Sequence, residues 1–249
     1  MSAYEALAAS YDALTYDIPY EKILQFWETL LKRYRLRPET VLDLACGTGS
    51  LSVLLAEHGY RVIGVDLSEE MLAVADEKCS HLAENRPFFA CQPMQRLRLP
   101  EQVDSVICAL DSLNYVTRPA DVQKTFRRVH DALTPGGLFL FDINTPYKLE
   151  GLAGQTFLDE TEDTYCVWRT EFDPKKRLCY YGMDLFQRDG EVWERSFEEH
   201  IEYAYTAEEL TGWLREAGFT KIDVFGDRKC RAPKEDELRV YLAARKETT

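Results

Sequence analysis

Between residues 40 and 143, short apolar runs alternate with helical stretches, and this alternation restricts the fold more than any other feature. "TVLDLA" (40–45), "RVIGVD" (61–66), "PFFACQP" (87–93), "VDSVICAL" (103–110) and "LFLFDI" (138–143) are largely continuous apolar runs. Such a strand is covered on both faces, as in a parallel sheet between two helical layers. The connecting segments fit that arrangement. "LSVLLAEHG" (51–59) reads as a helix stopped by Gly59, and Ser68 with Glu69 and Glu70 opens another. A third helix over about 119–133 precedes a Pro135-Gly136-Gly137 turn. Upstream, Ile23, Phe26, Leu30 and Tyr34 in residues 20–35 stand at helical spacing and predict an amphipathic helix.

From about residue 156 the pattern changes. "TYCVWRTEFD", "RLCYYGMDLFQR" and "EVWERSFEEHIEYAY" are long β-type segments joined by Asp173-Pro174 and Asp189-Gly190 turns, which predicts an antiparallel meander. A helix with Thr206 as N-cap and Gly218 as its stop follows, then "KIDVFG" and "LRVYLAARK" as closing strands. The expected fold is α/β: a Rossmann-like, doubly wound, mostly parallel seven-stranded sheet with an antiparallel β-meander insert after the fifth strand. The expected division is a core of residues 1–150 and 206–249, with residues 1–37 as an N-terminal helical cap, and an insert of 151–205.

The chain of 249 residues carries 43 acidic against 30 basic side chains, a net charge of −13. That balance disfavours nucleic acid as a partner, since a polyanion is repelled at long range. The short basic run Lys175-Lys176-Arg177 reads as a solvated hairpin turn. Seven scattered cysteines, with no CxxC pair and no histidine at ligand spacing, read as reduced thiols, and no metal site is expected. No apolar run is long enough to span a bilayer. The N-terminus lacks the basic and apolar regions of a secretion signal, so a cytoplasmic protein is expected.

The first strand ends in "DLACGTGS" (43–50). A strand, a glycine turn and a helix, with Asp66 closing the next strand, can bind a nucleotide through backbone N–H groups and offer Asp66 to ribose hydroxyls. A dinucleotide loop needs GxGxxG, whereas Gly47 and Gly49 are followed by Ser52 where the third glycine belongs. Asp43 would also repel a pyrophosphate. A carboxylate there suits a cationic amino group, which points to S-adenosylmethionine.

"VLDLACGTGSLS", "VIGVDLSEEML", "LTPGGLFLFDINT" and the closing "AGF…VYLAARK" resemble a class I S-adenosylmethionine-dependent methyltransferase over nearly the whole chain outside the insert. "YEALAASYDALTYDIPYEKIL" and "ALDSLNYV" further resemble bacterial small-molecule methyltransferases with a β-meander lid. The resemblance implies that Asp43, Ala45, Gly47 and Gly49 surround the methionine moiety, that Asp66 takes the ribose, and that Leu67 and Met71 pack near the adenine. For Met71, simple helix packing stands as an equal alternative. Pro93 occupies the place of the family's adenine-binding acid and offers neither carboxylate nor N–H, leaving Met94 and Gln95 to reach the adenine edge. "NTPY" (144–147) resembles a short motif of N-methyltransferases but follows the fifth strand, not the fourth, so Pro146 is read as ending that strand. Tyr11, in the N-terminal segment, is expected to close over the cofactor.

At the end of the fourth strand, the switch-point region, Leu110 and Asp111 should flank the cofactor. Asn114 and Tyr115 either face the acceptor or cap the next helix. Of four histidines, His58, His81 and His130 fall on core helices as surface or capping residues. His200, on the meander that should roof the site, is the candidate general base, with Tyr115 beside it. The meander's aromatics fit an apolar lid, packing onto the core, or a dimer interface on its outer face. The expected function is methyl transfer to a small-molecule acceptor with an N or O nucleophile. An RNA or protein methyltransferase and a non-catalytic cofactor-binding module are the alternatives.

Overall fold

The five strands predicted from continuous apolar runs and the two closing strands assemble into one seven-stranded sheet, ordered β10-β11-β5-β4-β1-β2-β3. The computed structural model describes residues 11–248. The strands are β1 (Thr40–Leu44), β2 (Arg61–Asp66), β3 (Phe88–Cys91), β4 (Val103–Cys108), β5 (Leu133–Asn144), β10 (Phe219–Gly226) and β11 (Arg239–Lys246). β1 pairs in parallel with β2 and β4, and only β11 runs against its neighbours β5 and β10.

Alternate residues of each strand enter opposite cores, as the two-residue period demands. Val41, Ile107, Leu138 and Leu140 pack with Trp27 and Leu30 of α2 (Tyr20–Tyr34) and Leu55 of α3 (Ser50–Glu57). Leu42, Val106, Phe139 and Phe141 pack with Phe126 of α5 (Pro119–Ala132) and Leu214 of α7 (Ala207–Glu216). Met71 of α4 (Glu69–Lys78) is buried as well. Thr206 and Glu209 close a reciprocal capping box at the start of α7.

The meander lies between β5 and α7 as a separate antiparallel sheet, β6 (Thr156–Glu160), β7 (Thr164–Asp173), β8 (Leu178–Asp189) and β9 (Val192–Tyr203). Two helices pack on its inward face. Tyr11 and Leu14 of α1 (Tyr11–Leu14) meet Cys166, Met183 and Leu185, and Leu149 of α6 (Pro146–Gly151) meets Cys179 and Ala204. The first ten residues of the expected N-terminal cap lie outside the described residues.

Several local expectations change. The insert has four strands, because β6, exposed at every position, is an edge strand without an inward face. Pro135-Gly136-Gly137 is not a turn ahead of β5 but part of it, absorbed by an irregularity in its pairing with β4. β4 ends at Cys108 because Leu110 and Asp111 both take left-handed backbone angles, φ 60° and 52°. Pro146 does follow the end of β5, yet it also opens α6, where the Thr145 hydroxyl caps the Lys148 N–H.

Candidate active site

A cavity of about 510 Å³ opens at the carboxyl ends of β1, β2 and β4, where the strand order reverses. Asp43, Ala45 and Gly47 form one wall, Asp66, Leu67 and Met71 a second, and Pro93, Met94 and Gln95 a third. Leu110 and Tyr115 lie on the β4 side, Tyr11 on the N-terminal side, and His200 on the roof. Twelve of the fourteen residues expected at the site therefore meet in one cavity: all but Gly49 and Asp111.

Gly49 sits behind the wall. A Cβ built on it would lie 2.8 Å from the Ala75 Cβ and 3.3 Å from Phe89, so this glycine lets the start of α3 approach α4 and β3. Gly47 differs: nothing lies within 4 Å of its notional Cβ, and Gly47 lines the cavity. Asp111 is drawn beneath the wall by Arg239, which also pairs with the fully buried Asp142. The Asp142 carboxylate accepts the N–H groups of Leu110 (2.8 Å) and Asp111 (3.0 Å) and so holds the left-handed turn. Burial raises the Asp142 carboxyl pKa, against the lowering effect of the Arg239 charge.

Asn114 is fully buried and does not line the cavity either. Its amide donates to the carbonyls of Asn144 (3.1 Å) and Tyr203 (3.0 Å) and accepts the Asn144 N–H (3.1 Å), tying the turn after β4 to the ends of β5 and β9. The aromatics expected from the insert do not line the cavity; its aromatic side chains are Tyr11, Tyr20 and Tyr115. The insert contributes Glu199, His200 and Ile201 of β9 instead, while its Trp193 and Phe197 face outward. Tyr20, Glu199 and Asp121 were missed at the sequence level. Only the "YEKI" resemblance bore on Tyr20.

The glycine-loop electrostatics are specific. Asp43 is buried and accepts the Ser52 hydroxyl at 2.6 Å, so the residue in place of the third glycine is this carboxylate's partner. Burial pushes the Asp43 carboxyl up to about 7, although the Ser52 hydrogen bond pulls it down. Asp66 accepts the Gly47 N–H at 2.8 Å and the Ser68 N–H at 3.0 Å. The strand-end acid thus orders the loop as well as facing the cavity. Ser68 itself caps α4 by accepting the Met71 N–H. Met71 is both packed in the core and on the cavity wall. Leu67 is 64% exposed at the rim.

Asp12 of α1 accepts from Thr48 Oγ1 at 2.7 Å and pairs with Lys78 Nζ at 2.6 Å, which seats Tyr11 over the cavity. Burial raises the Tyr11 phenol, which stays protonated at neutral pH. His58 and His81 bond backbone carbonyls at exposed sites, and His130 packs on Phe219. His200 differs from all three, being 1% exposed with Nε2 at 3.1 Å from Glu198 Oε2. Among the described residues no three His, Cys, Asp or Glu side chains stand in metal-holding geometry. No described helix is long and apolar enough to cross a membrane.

A cavity at the switch point, a glycine loop containing a buried carboxylate and an acid ending the second strand are the features expected of a nucleotide-type cofactor site suited to a cationic ligand. Comparison with known proteins agrees. Residues 41–137 match the methyltransferase domain family. A protein of Geobacillus sp. (strain WCH70) that bears the name methyltransferase is 35% identical over 246 residues, 98% of this chain and 99% of that one. The crystal structure of an S-adenosylmethionine-dependent methyltransferase from Clostridium acetobutylicum superposes with a TM-score of 0.87 at 31% identity, covering 99% of this chain and 100% of that one. CalS10, an amino pentose methyltransferase from Micromonospora echinaspora, shares the fold with a TM-score of 0.75 at 17% identity, covering 98% of each chain. The chain belongs to the class I S-adenosylmethionine-dependent methyltransferases. It is an enzyme of that family, and S-adenosylmethionine is its cofactor.

Proposed function

We propose that the enzyme methylates a small-molecule acceptor at nitrogen or oxygen, inside the cavity roofed by the meander. One observation carries this reading: the described cavity wall holds four carboxylates, Asp43, Asp66, Asp121 and Glu199, against the single guanidinium of Arg118 at the rim. Such a wall favours a cationic cofactor and a cationic or neutral acceptor, and repels a phosphate backbone. The chain's net charge of −13 acts in the same direction. CalS10, by its name, acts on an amino pentose, which is the acceptor class favoured by the acidic wall. The core (1–150 and 206–249) then supplies cofactor binding, and the insert (151–205) supplies the roof.

In this reading Asp43 meets the cofactor's amino group, directly or through water, while Ala45 and Gly47 face its methionine part. Asp66 accepts from the ribose diol, and Leu67, Met71, Met94 and Gln95 enclose the adenine. Leu110 forms the wall at the reacting centre, with Asp111 and Gly49 supporting the loops from behind. When bound, the cofactor supplies an electrophilic methyl group on a sulfonium, open to in-line attack. The protein's part is alignment and exclusion of water, for which Tyr11 and the β9 roof serve. His200, with Tyr115 beside it, takes the acceptor's proton.

The test is a screen of fractionated metabolites, bulk tRNA, ribosomes and protein for release of S-adenosylhomocysteine from the cofactor. Release that depends on a small-molecule fraction supports the proposal. Release only with tRNA, ribosomes or protein favours a macromolecular acceptor. Binding without release in any fraction favours a non-catalytic cofactor-binding module.

A further inference from the structure

The wall of the cavity beside β3 lacks an acid where the family resemblance expects one. Pro93 stands there with extended backbone (φ −72°) and offers neither a carboxylate nor an N–H. Neighbouring polar side chains are engaged. The Gln92 amide donates to the Arg98 carbonyl at 3.1 Å and accepts the Arg98 N–H at 2.9 Å, which braces the loop after β3. The Ser68 hydroxyl donates to Glu70 at 2.9 Å and accepts the Met71 N–H. Another element brings a carboxylate to this wall. α5 packs against the short turn Met94–Arg96, and its first turn carries Asp121, which lines the cavity with its side chain 14% exposed. Two cations flank it, Lys124 Nζ at 2.8 Å from Oδ1 and Arg118 Nε at 3.6 Å from Oδ2. The Lys124 hydrogen bond holds the Asp121 carboxyl below the ordinary range, and the nearby Arg96 charge acts in the same direction. The group is therefore ionised at neutral pH. A carboxylate has about four acceptor sites, so these contacts leave room for a further donor.

We infer that Asp121 of α5 takes the place of the acid missing at Pro93, its carboxylate accepting a hydrogen bond from the 6-amino group of the cofactor's adenine. The inference rests on the reading that places the adenine against Leu67, Met94 and Gln95. A hydrogen bond to an ionised acceptor is roughly twice as strong as a neutral one. It also specifies the base. A 6-amino group donates to the carboxylate, whereas a 6-oxo group sets one acceptor oxygen against another and leaves both unpaired. Asp121 has a second, structural role, because an acid in the first turn of a helix offsets the positive end of the helix dipole. That role is indifferent to the base bound in the cavity. Discrimination between two bases therefore separates recognition from helix support.

The experiment is calorimetric titration with S-adenosylhomocysteine and with S-inosylhomocysteine, in which oxygen replaces the 6-amino group. Wild type should prefer the adenine form about a hundredfold or more. In Asp121→Asn and Asp121→Ala that preference should fall about tenfold or more, since a charge-assisted hydrogen bond and an oxygen–carboxylate repulsion disappear together. The asparagine amide can donate to a 6-oxo group, so Asp121→Asn should bind S-inosylhomocysteine more tightly than wild type does. Melting temperatures without ligand check that each variant is folded. A preference unchanged in both variants overturns the inference, and a lower melting temperature alongside it assigns Asp121 to the helix end alone. A wild type that binds the two ligands alike also overturns it. Leu67→Ala tests the underlying reading separately. Leu67 is exposed at the rim, so its truncation spares the fold, and adenine packed on it makes affinity for S-adenosylhomocysteine fall about severalfold. If neither Leu67→Ala nor the Asp121 variants alter binding, the placement of the adenine fails. If Leu67→Ala weakens binding while the Asp121 variants keep the full preference, only the role of Asp121 is refuted.

Discussion

Asp12 and Lys78 meet at 2.6 Å between a short N-terminal helix and the end of α4, and the same carboxylate accepts the Thr48 hydroxyl of the glycine loop. Both side chains are partly exposed, so the pair adds little to global stability, about 0–1 kcal/mol. Its effect is local, holding Tyr11 against the cavity. Asp12→Asn should speed S-adenosylhomocysteine dissociation several-fold and leave the melting temperature almost unchanged. Stopped-flow displacement with calorimetric scanning checks both. An unaltered off-rate removes the helix from cofactor retention.

The two loop glycines should fail in different ways. Gly49→Ala places a methyl 2.8 Å from the Ala75 Cβ at a φ of +74°. Left-handed backbone costs about 1–2 kcal/mol for an L-residue, and overpacking adds about 1–3 kcal/mol. The variant should melt well below wild type, and Ala75→Gly should recover part of the loss. Gly47→Ala meets open space, so it pays only the backbone strain, but its methyl group enters the cavity. Its main loss should appear in cofactor affinity by calorimetry.

That contrast shows where the sequence was legible. Continuous apolar runs disclosed the buried strands, and strand-turn-helix order located the cavity. Gly47 and Gly49 look alike in sequence; only the approach of α4 separates them. Leu110 and Asp111 are likewise adjacent, yet Asp111 is turned inward by Arg239, 128 residues away. β6 gave no signal because all five residues are exposed, leaving no alternation to read. The Glu198–His200 pair becomes visible only once the inward face of β9 is known.

Cofactor binding should release protons near neutrality. Burial holds the Asp43 carboxyl at about 7, against an ordinary 3.8. A raised carboxyl pKa stabilises the fold fully below pH 3.8, and the contribution is lost as pH rises through about 7. A cationic cofactor favours the ionised form, so its affinity should rise between about pH 6 and 8 with proton release. Calorimetry in buffers of different ionisation enthalpy measures the release, and Asp43→Asn should abolish it. A proton count of zero at pH 6.5 in wild type contradicts the assignment.

The roof should loosen in alkali. Glu202 on the inward face of β9 accepts the Asn144 amide at 2.9 Å, and burial followed by the Asp111 charge pushes its carboxyl up to about 8. This contribution to stability is complete below about pH 4.5 and is lost as pH rises through about 8. Hydrogen exchange in β9 should therefore quicken from pH 7 to pH 9 beyond its intrinsic pH dependence. Glu202→Gln should flatten that rise, and the same rise in the variant assigns the loosening elsewhere.

The most direct measurement on the cavity as cofactor site is S-adenosylhomocysteine titration of Asp66→Ala, read with its melting temperature. Two charge-assisted hydrogen bonds to the ribose, each worth about 1.5–3 kcal/mol, should disappear, weakening binding about a hundredfold or more. The carboxylate also accepts the Gly47 and Ser68 N–H groups, so a fall of a few degrees in melting temperature is expected with it. The predicted result is a folded variant with that large loss of affinity. A folded Asp66→Ala protein that binds S-adenosylhomocysteine within about twofold of wild type, well under 1 kcal/mol, would contradict the placement of the cofactor.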